Sequence, residues 1–436
     1  MRNHIRSAAL AAAVLLFPAD SGAQGVVPDT PGAEHPVKSD TLLARLTAEA
    51  IAANPGLRAS KASARAALDR VRPAGALPDP MLSAGVMNLT LPSFAFRESD
   101  FTEVDFELSQ EFPWPGSLGA RTRVARAEAR ARSADVAVRR REIVGRTAEL
   151  YYRLRYIVTA RATLMRQREL LAAAVEIATT RYATATAPQS DPLQARVALA
   201  RLDAEDADLA EQQVRAGAGL KALRGVRGSD RLTIEFIRPQ TVLLALEAEH
   251  PGALPSPESL PAHPRLAARR AALDAAEHRV RVEQLGGRPD FSITTRYGAR
   301  PLGADFFSAF VGFRVPVWAG RKQGRLADAA RADAETAREE LLEETVAFEA
   351  ELQTVRAGVA SGAARLRLLI TQVIPSGGAA VEAVLRGYRV GQVPFLNVIA
   401  AEDSLYRAEL EAAMVAAEHL THLVMLQQLL EGEDVT

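Results

Sequence analysis

Polar and apolar residues recur along this chain with two different periods, and the period switches at matching places in its two halves. From about Thr41 to Arg72 the spacing is helical, and the helix is predicted to stop at Pro73. Between Phe101 and Leu108 the pattern alternates, with Glu103, Asp105 and Glu107 on one side and Val104, Phe106 and Leu108 on the other. That is a strand with one wet and one apolar face. Helical spacing then returns from about Leu118 to Tyr182 without a proline, through Val124, Ala131, Val138, Leu150, Leu154, Ile157, Leu164, Leu171 and Val175. It predicts a rod of roughly 95 Å, longer than one globular core needs and suited to a coiled-coil wall. A break at Ala187-Pro188 precedes a return helix from Leu193 to Leu223.

The second half repeats the plan. Phe291, Ile293, Thr295 and Tyr297 alternate with Ser292, Thr294 and Arg296, and Phe307, Ala309, Val311, Phe313 and Val315 alternate with Ser308, Gly312 and Arg314. Strand pairs are thus expected at about 81–112 and 290–317, each strand near the 9–11 residues that cross a bilayer obliquely. A rod follows Gly320 to about Arg386, with a kink expected at Pro375-Ser376-Gly377, then a turn at Gly391–Pro394 and a return helix to Leu430. Local motifs keep the same register. Asn54-Pro55-Gly56-Leu57 answers to His263-Pro264-Arg265-Leu266, Phe112-Pro113-Trp114-Pro115-Gly116 to Val315-Pro316-Val317-Trp318-Ala319-Gly320, and Arg181-Tyr182…Pro188…Asp191…Leu193 to Gly387-Tyr388…Pro394…Asn397…Ile399. A repeat this long is a duplicated domain half, most simply part of a closed wall.

The organisation read from this is a secretory signal over 1–23, an irregular segment over 24–40, a first repeat over 41–250, a proline-rich linker over 251–264 and a second repeat over 265–432. Arg2 and Arg6, the apolar run Ala8–Phe17 and the small residues Ser21-Gly22-Ala23 carry the signal. Beyond it, no stretch reaches the roughly 20 apolar residues of a spanning helix, so strands are the expected means of crossing a membrane.

Composition removes several function classes. Lys plus Arg and Asp plus Glu each number 53, so no general basic field invites nucleic acid. With no cysteine there are no disulfides, thiolate metal sites, cysteine nucleophile or lipidated N-terminal cysteine. No phosphate loop is present, the six Met residues are scattered, and His419 and His422 lack companions for a metal site, which leaves them a packing or solvated role. No catalytic constellation and no cofactor are expected. The first rod is rich in Arg (Arg121, Arg123, Arg126, Arg130, Arg132, Arg139, Arg140, Arg141) and the second in acid (Glu335, Glu339, Glu340, Glu343, Glu344, Glu349, Glu351), which suggests neighbours pairing around a ring.

Taken together, the chain resembles the TolC-type outer-membrane efflux channel family, most specifically in Gly387-Tyr388-Arg389-Val390-Gly391-Gln392-Val393-Pro394-Phe395-Leu396-Asn397-Val398-Ile399-Ala400-Ala401-Glu402. The resemblance implies a mainly α protein with membrane β: long antiparallel α-helical hairpins forming a coiled-coil tunnel in the periplasm, and four strands per protomer completing a trimeric twelve-stranded barrel in outer-membrane lipid. The implied role is the passive exit channel of a tripartite efflux pump. Its partners would be a periplasmic adaptor and an inner-membrane transporter of the resistance-nodulation-division type. The alternatives are a duct for type I protein secretion and, in another class, a periplasmic adaptor or coiled-coil scaffold without a pore. The resemblance also implies a gate in which Tyr388 bonds Asp191, with Val393 where the family's bracing Arg stands. Asn397 and Ala400 replace a ring of aspartates, leaving Asp191 or Glu402 as substitute carboxylates. The docking turns would comprise Pro188, Asp191, Leu193, Gly391, Pro394 and Asn397.

Overall fold

A computed structural model describes residues 40–89, 91–228, 232–248 and 263–430. The first half contains α1 (Thr41–Ala53), α2 (Pro55–Asp69), α3 (Val71–Ala74), β1 (Met81–Met87), β2 (Glu103–Phe112), α4 (Ser117–Ala183), α5 (Ser190–Leu223) and α6 (Pro239–Ala248). The second contains α7 (Pro264–Leu285), β3 (Asp290–Ala299), β4 (Phe306–Arg314), α8 (Gln323–Leu368), a π-helical turn (Leu369–Val373), α9 (Ile374–Arg389) and α10 (Phe395–Leu430). The expected signal and the 24–39 segment lie outside the described residues, as does the linker apart from His263 and Pro264.

The helix expected over 41–72 is broken once. The Asn54 side chain accepts from the Leu57 backbone N–H at 3.0 Å, and Pro55 sits at the first helical position, so Asn54 ends α1 and caps α2. Its amide also donates to the Leu223 carbonyl at 2.9 Å, tying this break to the end of α5. Pro73 lies inside the short α3 instead of ending a long helix.

The four strands form one antiparallel sheet in the order β1-β2-β3-β4. β1 has 7 residues, short of the expected bilayer-crossing length, and the other three have 10, 10 and 9. Register sorts the side chains by face. On one face Phe112, Phe291 and Phe313 form a row across the sheet, and Phe106, Tyr297 and Phe307 form a second row six residues along. The rings of Phe112 and Phe291 stack with centroids 5.1 Å apart. By strand rise the rows are roughly 20 Å apart, the layout of aromatic girdles bounding a lipid-facing band. Leu82, Leu108, Ile293 and Val311 occupy the band, all exposed in the protomer. The opposite face carries ions: Arg296 pairs with Glu103 and, at 2.5 Å, with Asp105, while Arg314 pairs with Glu111 at 2.5 Å. The alternation read from sequence is therefore an apolar outside and a charged inside.

The helices run away from the sheet. α4 spans 67 residues, and the run α8–π turn–α9 from Gln323 to Arg389 spans 67 as well, each roughly 100 Å. Where a kink was expected at Pro375, the chain widens into the π turn just before it. Because proline cannot donate to the helical ladder, a register shift of the preceding turn is one way to absorb the missing bond without ending the rod. The Arg-rich and acid-rich rods are not direct partners within the protomer, contrary to the simplest reading of their charges. α7 lies between them. It meets α8 through Arg265–Glu344 (2.7 Å) and Arg269–Glu340 (3.0 Å), and α4 through Arg130–Asp274 (3.1 Å) and Arg279–Glu128.

The core is a long seam in which α4, α5 and α10 bury Tyr152, Ile157, Leu164, Leu220 and Ala416, among others. His419 of α10 is wholly buried and serves packing: a Cβ on Gly362 of α8 would meet its ring at 3.1 Å, and one on Gly358 would meet His422 at 2.8 Å. His263 is 4% exposed, caps α7 by accepting from the Arg265 N–H, and packs on Phe348. Burial pushes both imidazoles down to about 4, with Arg141 adding to the effect at His263 and His422 at His419. Unfolded histidines take up a proton near pH 6.5, whereas these stay neutral until about pH 4. Their contribution to stability is complete above pH 6.5 and is lost as pH falls toward 4, on the order of 3 kcal/mol each. The melting temperature should therefore drop across that window, and less steeply in His419→Leu. A flat profile from pH 6.5 to 4 would contradict this.

Candidate functional site at the hairpin tips

The ends of the hairpins far from the sheet are built twice on one template. In α9 the Gln392 N–H donates to the Gly387 carbonyl at 2.9 Å and the Gly391 N–H to that of Tyr388 at 3.0 Å, while Gly391 holds φ 76°. This is a helix end closed by a left-handed residue. At the end of α4, Thr186 donates to Arg181 at 2.8 Å and Ala185 to Tyr182 at 3.0 Å, with Ala185 at φ 55°. The following helix starts also match: the Pro188 carbonyl accepts from Asp191 at 3.2 Å, and that of Pro394 from Asn397 at 3.1 Å. Residues named as docking positions thus fall on equivalent points of two turns. Pro188, Leu193, Gly391, Pro394 and Asn397 are exposed, and Asp191 is buried.

The turns pack together through Ala178, Ala195, Tyr388, Phe395 and Val398. Tyr388 is 6% exposed and its ring lies 5.2 Å from that of Phe395. Arg181 of α4 holds it from the other hairpin. The guanidinium carbon sits 4.5 Å from the Tyr388 ring centroid, and Nη1 donates to the Tyr388 carbonyl oxygen at 2.8 Å. Burial raises the Tyr388 pKa, opposed by the Arg181 charge and reinforced by the Asp191 carboxylate. Tyr388 and Asp191 are therefore brought into one cluster, but no hydrogen bond joins them. Tyr388 Oη is buried without a geometric partner among the described residues, and Asp191 Oδ1 accepts from Ser190 Oγ at 3.3 Å.

Sequence reasoning missed Arg181. Its repeat counterpart is Gly387, where a Cβ would come within 2.6 Å of Val393 Cγ2, so Val393 packs on the bare helix while the cation reaches across from α4. The signal was present in the Arg181-Tyr182 motif, whose Tyr182 is exposed while Tyr388 is buried. Glu402, read as a substitute acidic ring, is 8% exposed and lies against Gln167 of α4. Burial raises its pKa, with the Gln167 amide opposing. Asn397 and Ala400 are exposed and uncharged.

A sheet with an apolar outer face at one end, and two rods of equal length closed by matched turns at the other, define the wall of an outer-membrane channel with a periplasmic helical tunnel. The chain belongs to the outer membrane efflux protein family, whose model matches residues 46–226 and 256–432. The cobalt-zinc-cadmium resistance protein CzcC of Cupriavidus metallidurans is 28% identical over 248 residues, 56% of this chain and 56% of that protein. The match thus spans little more than half the length of that relative. The fold is shared with the outer-membrane channel OprN (TM-score 0.75, 19% identity, 91% of each chain). It is shared also with the outer membrane protein VceC of Vibrio cholerae (0.72, 20% identity, 90% of this chain and 96% of that one). The open state of the MtrE channel of Neisseria gonorrhoeae aligns with a TM-score of 0.73 at 17% identity, over 89% of each chain.

Proposed function

We propose that three copies of this chain form the passive exit channel of a tripartite efflux pump, with the repeats 41–250 and 265–432 supplying alternate wall segments. One observation carries the reading: a four-stranded sheet with an apolar, girdled outer face and two free edges, β1 and β4, continuous with two rods of roughly 100 Å. Free strand edges are not tolerated in hydrocarbon, so the sheets of neighbouring copies must pair, and three copies give twelve strands. The rod from Gln323 to Arg389 supports closure too. Contrary to the expectation that no such stretch follows the signal, it contains a window that by length and composition passes for a membrane span, of which 11% is buried in the lone protomer. Neighbouring copies would cover that surface.

In this reading the turns bearing Pro188, Asp191, Leu193, Gly391, Pro394 and Asn397 dock a periplasmic adaptor. Exposed Leu193, Val197, Val390 and Leu396 supply apolar contacts there. The transporter is of the resistance-nodulation-division type, and the Tyr388 cluster with Asp191 is the gate. Similarity to CzcC, named for cobalt, zinc and cadmium resistance, is the ground for proposing divalent transition-metal cations as cargo. In cells carrying the cognate adaptor and transporter, removing this chain should abolish tolerance to those cations and restoring it should recover tolerance. Unchanged tolerance to all three metals on removal would overturn the cargo assignment.

A further inference from the structure

The duplication leaves one junction unfilled. α7 bridges two rods, its own repeat's α8 and the other repeat's α4. Its counterpart by the Pro264–Pro55 match is α2, which packs on its own repeat's α4 and presents its remaining side to solvent. That side is basic: Arg58, Lys61 and Arg65 are exposed and make no ion pair among the described residues. The rod lacking a second bridging helix is α8. While Glu340, Glu344 and Glu351 turn to α7, the exposed stripe carries Glu335, Glu339 and Glu343, again with no ion pair among the described residues, around exposed Leu342 and Val346.

We propose that α2 of one copy docks antiparallel on this stripe of α8 in the next copy, with Arg65 opposite Glu335, Lys61 opposite Glu339 and Arg58 opposite Glu343. The register is that of the filled junction. There Asp274 of α7 pairs with Arg130 of α4 at 3.1 Å. Arg65 occupies the place of Asp274 when Pro55 is matched to Pro264, and Glu335 lies within one residue of the place of Arg130 when the rods are matched at Gly116 and Gly320 or at their ends. From that anchor the cations step by four and three residues while the acids step by four and four, so opposed charges stay in contact along antiparallel helices. At this anchor the signs are inverted: Arg130 of the rod meets Asp274 of the bridging helix within a copy, whereas Glu335 of the rod would meet Arg65 of the bridging helix between copies.

This rests on the trimeric reading, and the test separates the two. The full chain, extracted in detergent, is weighed as wild type, as Glu335→Lys/Glu339→Lys/Glu343→Lys, and with Arg58→Glu/Lys61→Glu/Arg65→Glu added. One-sided reversal should raise the trimer dissociation constant by roughly a hundredfold. The two-sided swap should restore it, which also shows that the substituted helices fold. Because the chain has no cysteine, Lys61→Cys with Glu339→Cys can be joined by a short bismaleimide, giving a ladder that stops at three copies. Lys61→Cys with Glu344→Cys, whose acid faces α7 in its own copy, should give none. A wild-type trimer that survives one-sided reversal, or a swap that fails to restore it, would overturn the seam alone. A wild-type chain that is not a trimer would overturn the channel reading and the seam with it.

Discussion

Leu108→Arg should leave the channel unassembled. Leu108 lies on the outer face of β2, between the two aromatic rows, paired with Leu82 and Thr295 and half exposed in the protomer. An arginine near the middle of a lipid-facing band costs roughly 2–4 kcal/mol, and a trimer would carry it three times. The assembled species recovered from outer membranes is expected to fall by about tenfold or more. Ser109→Arg one position along is the control. Its hydroxyl lies 2.9 Å from Thr294 Oγ1 on the charged inner face, where a cation meets water and has Glu107 and Glu111 two residues away on the same face of the strand. It should assemble and shift ion selectivity instead. Equal recovery of the two variants would mean that the faces have been assigned wrongly.

The second large effect is expected at the tip, from Arg181→Ala. This side chain makes a charge-assisted bond to the Tyr388 carbonyl, covers the Tyr388 ring, and donates to the Thr186 carbonyl at 3.3 Å, so it fastens both turns. Losing it costs about 2 kcal/mol per protomer after discounting for partial exposure. Closed-state conductance should rise several-fold. Tyr388→Phe with Asp191→Asn should raise it less, because Tyr388 Oη has no geometric partner among the described residues and the ring keeps its contacts with Phe395 and Arg181. If the double variant opens the channel more than Arg181→Ala does, the Tyr388 hydroxyl closes the tip through a bond to another copy, and Arg181 only braces the turn.

Much of the scaffold was legible because its signals are local and long. A proline-free helical pattern from Leu118 to Tyr182 became α4, Ser117–Ala183, displaced by one residue at each end. Alternation at Val104, Phe106 and Leu108 separated the faces of β2 correctly. β1 was harder, since Met81-Leu82-Ser83-Ala84-Gly85-Val86-Met87 alternates weakly and is placed by pairing with β2. The charges of α4 and α8 told of pairing but not of the helix between them, because complementary faces are silent about what intervenes. Arg265, Asp274, Glu277 and Arg279 on α7 already held both signs and were the missing clue. At the tip, the turns followed from Gly391 and Pro394, whereas the burial of Asp191 and Glu402 and the reach of Arg181 depend on tertiary packing that no local pattern encodes.

The central claim, that this chain builds a water-filled duct from several copies, is tested most directly in planar bilayers with detergent-purified protein whose oligomeric mass is measured on the same sample. A trimer that inserts as discrete, long-lived channels is expected, with conductance raised by Arg181→Ala. A monomer that inserts no channel, recovered in the soluble periplasmic fraction, would contradict it.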